Sequence, residues 1–265
     1  MSRFFLFLCK VKTKRKMNKS AKTIVALMLS AVAVIVTGCS KPEAPNNGEN
    51  DNVQNDSIVA HDDSLNVHDY VDLGLPSGIL WATCNVGADV PEGYGDYFAW
   101  GETAPKEAFD WNGYKYGNFV NDRYEFNKYC TDSVYGLNGF VDKLTILEPA
   151  DDAATANWGA DWRTPTMDEW DELFQNTTFA KATQNGVKGW RLTASNGNSI
   201  FLPAVGYWWD GVFDFAGIGI YWSSSLNKEF PNRAWGFHLN SDSCHVCGSS
   251  DRNRGQTVRA VYSKK

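Results

Sequence analysis

The chain has 265 residues, with 25 Lys and Arg against 31 Asp and Glu. The eight bases of residues 1–38 face no acid, so the remainder carries 17 bases and 31 acids, a net charge of −14. A surface of that sign repels phosphate backbones and anionic lipid, which excludes basic-patch recognition of nucleic acid.

The first feature in chain order is an export signal. Arg3, Lys10, Lys12, Lys14, Arg15, Lys16, Lys19 and Lys22 precede an apolar to weakly polar run over residues 23–36. That run is shorter than the roughly 20 apolar residues of a membrane span, and basic-then-apolar is the secretory order. It ends in Val36-Thr37-Gly38-Cys39, small residues before a Cys, the pattern at which a lipoprotein signal peptidase cuts and the thiol takes lipid. Residues 1–38 therefore read as a lipoprotein signal peptide with Cys39 as the lipidation site. A start at Met17 would leave a compact signal with Lys19 and Lys22 as its bases. The competing reading, a membrane hairpin of residues 4–8 with 24–36, fails on the five-residue length of its first arm.

Residues 40–67 are Ser, Pro, Asn, Glu and Asp with scattered small apolar residues, repeating at neither 2 nor 3.6. With Cys39 they make a flexible acidic tether, 39–69, able to hold a domain about 30 Å from a bilayer. Asp56-Ser57-Ile58 and Asp63-Ser64-Leu65 resemble the Asp-Ser/Thr-aliphatic triads that some bacteria O-glycosylate. Beyond the tether, 70–265 reads as one domain. All eleven Trp fall between Trp81 and Trp235, and rings that bury roughly 150–250 Å² each can build a sizeable core.

Strand-like runs at 70–73 and 79–82 flank the turn cluster Gly74-Leu75-Pro76-Ser77-Gly78. A further strand is expected at 97–100. Pro149, Asp151 and Asp152 open a first short helix that stops near Trp158-Gly159. Thr166 and Glu169 form a capping box after Pro165, and Trp170, Leu173 and Phe174 share one face of a second helix. Runs at 190–193 and 199–202 flank Ser195-Asn196-Gly197-Asn198, a hairpin signal. Strands are also expected at 220–223, 234–239 and 258–262. The outcome is α+β: short strands, hairpins, two middle helices and long loops.

Several runs resemble the Fibrobacter succinogenes major paralogous domain. They include Tyr70-Val71-Asp72-Leu73-Gly74-Leu75-Pro76-Ser77-Gly78, Trp81-Ala82-Thr83-Cys84-Asn85-Val86-Gly87-Ala88 and Tyr94-Gly95-Asp96-Tyr97-Phe98-Ala99-Trp100-Gly101-Glu102-Thr103. Asp151-Asp152-Ala153-Ala154, Trp162-Arg163-Thr164-Pro165-Thr166, Gly197-Asn198-Ser199-Ile200-Phe201-Leu202-Pro203-Ala204 and Tyr221-Trp222-Ser223-Ser224-Ser225 continue the match in order. Thr164 stands where such sequences usually carry an apolar residue, and Ala260 where Pro is usual. The resemblance implies a C-type-lectin-like fold in exported bacterial lipoproteins, and it supplies no catalytic residue.

Calcium-dependent lectin sites use Glu-Pro-Asn or Gln-Pro-Asp, whereas Glu148-Pro149-Ala150 lacks the amide oxygen and no Trp-Asn-Asp occurs. Asp151 and Asp152 read as partners of a helix start before they read as calcium ligands. Cys244-His245-Val246-Cys247 is half a zinc site with only His238 plausibly near, and in a strand or hairpin it is poorly placed for redox chemistry. No metal or cofactor is expected. Cys84 and Cys130, the remaining pair once Cys39 is lipidated, are candidates for a disulfide in an exported chain. No Gly-x-Ser-x-Gly, phosphate loop or His-Glu-x-x-His is present, and Ser223-Ser224-Ser225 reads as a core strand. Arg163 is expected to be a buried structural cation paired with a carboxylate such as Asp151 or Asp152, in preference to a ligand contact.

The strongest ligand-binding candidates are Tyr207, Trp208, Trp209, Asp210, Phe213 and Asp214, in a glycine-flanked segment read as a loop between two strands. Exposed Trp faces stack on sugars and carboxylates accept hydroxyl hydrogen bonds; equally, the rings could pack the core. The expectation is a non-enzymatic, lectin-like recognition domain for an extracellular glycan or protein, held at the cell surface through an outer-membrane lipid anchor. The alternatives are a structural subunit of a surface assembly and an oxidase of the formylglycine-generating kind, for which Cys244 and Cys247 would be the only candidate thiols.

Overall fold

In the computed structural model of this chain, the described residues are 68–214, 217–240 and 244–263, with 244–247 described by backbone alone. The export signal, Cys39 and the tether up to residue 67 lie outside them. No helix among the described residues is long and apolar enough to cross a membrane.

Two short strands, β1 (Tyr70–Val71) and β2 (Leu80–Ala82), are followed by a hairpin of β3 (Gly117–Val120) and β4 (Arg123–Phe126). Then come α1 (Ala153–Trp158), β5 (Trp162–Arg163) and α2 (Met167–Gln175). The rest is strand: β6 (Thr177–Gln184), β7 (Val187–Ala194), β8 (Ser199–Pro203), β9 (Tyr207–Trp209), β10 (Val212–Asp214), β11 (Gly219–Leu226), β12 (Arg233–Leu239), β13 (Cys244–Asp251) and β14 (Val261–Tyr262). The strands form small antiparallel sheets. β6-β7-β8 and β11-β12-β13 are meanders, while β1-β2-β14-β5 joins the start of the domain to its end. Val261 of β14 lies opposite both Trp81 and Arg163.

Local chemistry sets the turns. Three hairpins close on two residues with positive φ, the pattern of a type I′ turn: Asn121-Asp122, Asn185-Gly186 and Asp210-Gly211. Asn, Asp and Gly tolerate that backbone, and its twist matches the strands it joins.

Both helices are short and held by their caps. Thr166 Oγ1 accepts the Glu169 N–H at 3.3 Å, and Glu169 Oε2 accepts the Thr166 N–H at 2.7 Å. The Glu169 carboxylate also takes Arg163 as a two-pronged partner at 2.7 and 2.5 Å, which corrects the expected pairing with Asp151 or Asp152. Asp152 breaks the first helical stretch in two, leaving a 3-10 turn at Pro149–Asp151 before α1. Its carboxylate caps α1 through the Ala154 and Thr155 N–H groups and accepts from the Thr164 N–H and hydroxyl. Thr164 is therefore a buried donor with a partner.

Two clusters of rings fill the interior. Trp170 of α2 stacks on Phe237 with centroids 4.6 Å apart, meets Trp81 at 4.7 Å, and donates its indole N–H to the Trp222 carbonyl. The other cluster gathers Phe98, Trp100, Phe126, Tyr129, Trp158, Trp162 and Trp222.

Residues 252–260 run between these clusters, buried at every position except Arg254, yet they form no regular strand. Their backbone bonds singly to many segments: the N–H groups of Trp100, Phe98, Trp222, Val86 and Ala82 donate to the carbonyls of Arg252, Gln256, Thr257, Val258 and Ala260. Two expected strands are thereby corrected. At 97–100 only Phe98 makes a bridge, to Gln256, and of 258–262 only Val261–Tyr262 is a strand.

Two fully buried guanidinium groups pin this strap. Arg252 donates to the Tyr114 hydroxyl and to the Tyr129, Pro231 and Lys128 carbonyls, with the Phe126 ring centroid 4.5 Å and the Trp100 centroid 5.1 Å away. Arg259 donates to Asn85 Oδ1 and to the Ala82, Thr83 and Phe201 carbonyls. Burial pulls the Arg259 pKa down, but an arginine stays charged in proteins. Carbonyl dipoles solvate both cations, ring faces add to this at Arg252, and the planar fork is what reaches several acceptors at once. Arg252→Lys and Arg259→Lys are each expected to lower unfolding stability by about 3 kcal/mol, because stranded carbonyls keep their desolvation cost. Equilibrium denaturation checks this; a loss below about 1 kcal/mol would show that the fork is dispensable.

Candidate functional site

The segment 207–214 is a β-hairpin, which corrects its reading as a loop. The signal was available: Asp-Gly between aromatic and β-branched residues is a two-residue hairpin turn. Trp209 pairs with Val212, Trp208 with Phe213 and Tyr207 with Asp214. Strand alternation then separates the six sequence candidates.

Trp208 and Phe213 face inward. Their ring centroids are 5.2 Å apart, and Phe213 meets Tyr97 edge-on at 5.8 Å. Both rings are half-buried, and Trp208 packs against the larger ring cluster. The other face carries Trp209, 51% exposed, beside Val212 at 64%, and Tyr207 with Asp214. Asp210 sits exposed in the turn, where its N–H donates to the Phe109 carbonyl at 3.2 Å.

A residue absent from the sequence reading completes this face. Arg254 of the strap places its guanidinium 5.0 Å from the Trp209 ring centroid and 5.4 Å from that of Tyr207. Asp251 holds it from behind at 3.6 Å. The Tyr207 hydroxyl donates to Asp214 Oδ2 at 3.0 Å, and burial together with Asp214 pushes its pKa up. One array therefore runs Asp214, Tyr207, Arg254, Trp209. The hairpin is fastened to the same strap by Trp208 and Gly255, each donating its N–H to the other's carbonyl, at 2.8 and 2.9 Å.

No family model, curated protein or solved structure matches this chain.

The other chemistry-bearing residues are engaged elsewhere. Cys84 and Cys130 are both free and buried, which corrects the expected disulfide. Burial pushes both thiols up, so they stay protonated and poorly nucleophilic. The side chains of Cys244 and Cys247 lie outside the described residues. Among the described residues no three His, Cys, Asp or Glu side chains are placed to hold a metal ion. The Ser223 hydroxyl donates to the Trp235 carbonyl, and Ser225 Oγ accepts the Met167 N–H at the start of α2. Glu148 is ion-paired with Lys128 at 2.5 Å.

Asp151 is an acid held well below its ordinary range. Burial alone would push its carboxyl up, but Lys128 at 2.6 Å and the Tyr116 and Tyr129 hydroxyls outweigh it and hold the pKa at about 2. Tyr129 in turn accepts the Glu148 N–H at 2.9 Å. The cluster is a closed structural network with every member occupied. Because the folded pKa of about 2 lies below the unfolded value of about 3.9, its stabilisation is complete above pH ~5 and is lost progressively as pH falls through both values toward ~1. Unfolding stability measured from pH 6 to 2 should therefore drop more steeply in the parent than in Asp151→Asn. Parallel curves would contradict this origin of acid sensitivity.

Proposed function

We propose that this chain is an exported, outer-membrane-anchored lipoprotein whose domain recognises an extracellular glycan without chemical turnover. Lipidation at Cys39 supplies the anchor, and residues 39–69 supply reach. The ordered runs from Tyr70 to Ser225 support membership of the Fibrobacter succinogenes major paralogous group and a C-type-lectin-like architecture.

One observation carries the ligand reading. Trp209 presents half its surface to solvent while Arg254, Val212 and the hairpin backbone fix its orientation. A large ring held in place before the ligand arrives binds with little loss of side-chain freedom, which favours stacking on the C–H face of a sugar. Asp210 and Asp214 flank the ring as acceptors for hydroxyl groups, and Arg254 adds donors. The arrangement offers no activated nucleophile and no paired acid and base, so it fits binding and not catalysis.

The test uses the full mature lipoprotein in detergent on a glycan array, followed by titration of the best binder. Trp209→Ala should weaken binding at least tenfold, about 1.4 kcal/mol, with an unchanged melting temperature, and Trp209→Phe should retain part of the affinity. Unchanged affinity in Trp209→Ala would remove the hairpin from the binding surface.

A further inference from the structure

The described domain also holds a concave site that shares no residue with the hairpin. It is a cleft of about 470 Å³ where the end of β11 meets the first turn of α2 and the turn after β11. That volume lies within the roughly 300–1,000 Å³ of small-molecule sites.

Its walls are fixed before any ligand arrives. Ser225 Oγ holds the Met167 N–H at 3.1 Å, joining strand to helix. The Leu226 N–H donates to the Thr145 carbonyl at 2.9 Å. Asn227, only 4% exposed, turns its side-chain oxygen onto the N–H groups of Glu229 and Phe230, both at 3.1 Å, which sets the shape of the 227–230 turn. The Thr131 hydroxyl secures the same turn by donating to the Lys228 carbonyl at 3.0 Å.

The lining is mixed. Met167, Ile146 and Trp235 supply apolar surface, while Asp168, Lys228 and Glu229, all three exposed, bring charge to its rim. Among the described residues, none of those three charged side chains makes a hydrogen bond or ion pair. An apolar ligand would strand all three. An anion would meet two carboxylates against one ammonium, and the positive end of α2 is already answered by Asp168 and by Glu169 in its capping box. A cation would answer the two carboxylates but meet the Lys228 ammonium, so the class that suits every lining group has hydroxyls that both donate and accept, together with apolar C–H faces.

We propose that this cleft binds a short neutral saccharide, with Asp168 and Glu229 accepting from its hydroxyls, Lys228 donating to them, and Met167 and Trp235 packing against the ring. The domain then carries two independent carbohydrate-contacting surfaces, one flat and one concave.

Diazirine-bearing glycosides of glucose, galactose, mannose and N-acetylglucosamine test this on the full mature lipoprotein. After irradiation, cross-linked peptides are mapped by mass spectrometry. At least one probe should label peptides containing residues 167–168 or 225–229, and excess unlabelled sugar should compete. The Asp168→Asn/Glu229→Gln double variant should lose at least tenfold of that labelling, and its melting curve reports whether the fold is intact. Labelling confined to residues 207–214, labelling insensitive to the double variant, or no competed labelling with any probe would overturn the proposal. A diazirine-bearing alkylamine labelling the cleft where no sugar does would also overturn it, by assigning the site to a cation. Hairpin and cleft are read on different peptides, so failure of either reading is seen separately.

Discussion

The described domain depends on one arrangement: two arginine side chains buried without a carboxylate partner among the described residues, holding a non-regular strap in the domain's interior. Arg252 and Arg259 are fully buried, and each donates four hydrogen bonds, mostly to backbone carbonyls of distant segments. A chain with many loops has many main-chain groups outside ladders, and each one buried unpaired is costly. A guanidinium answers several carbonyls together, which a single strand cannot do. The strap backbone does the same for N–H groups, accepting from residues between Ala82 and Trp222 that share no sheet with it.

The same strap builds the proposed recognition face. Gly255 bonds to Trp208 in both directions, and Arg254 turns outward between Tyr207 and Trp209. Gly255 has to be Gly, since a Cβ there would fall 2.7 Å from the Phe109 ring. Core and site are therefore continuous: residues 252 and 259 fix the segment whose residue 254 aligns the exposed ring. The proposed recognition face thereby rests on a rigid part of a loop-rich scaffold, because the hairpin is bonded to a stretch buried at every position except Arg254.

What was legible in the sequence was local. The capping box at Thr166 and Glu169 needs only four adjacent residues, and α2 occupies Met167–Gln175 with Trp170 and Leu173 buried. The 190–193 and 199–202 runs pair as β7 and β8 across their Asn-Gly turn. Partners set by tertiary geometry were not legible. Arg163 meets Glu169 because that carboxylate folds back over the cap, a direction that sequence spacing does not encode. Cys84 and Cys130 could be linked only by elimination, and the fold leaves them as separate buried thiols. Arg254 lies 45 residues from Trp209, within an Arg-Asn-Arg-Gly run whose two arginines go to opposite environments, so no periodicity could assign it. The hairpin itself was readable from Asp210-Gly211, and its alternation separates the exposed Trp209 from the inward Trp208.

The account stands on the strap, and amide hydrogen exchange across a denaturant series measures it most directly. The N–H groups of Ala82, Val86, Phe98, Trp100, Trp208 and Trp222 all donate to strap carbonyls. If the strap is the centre on which the domain depends, these amides exchange only through global unfolding, and their opening energies converge on a single value at low denaturant. If they open at lower energy than the amides of the β6–β7 hairpin, the strap is a late and local addition, and the central claim is wrong.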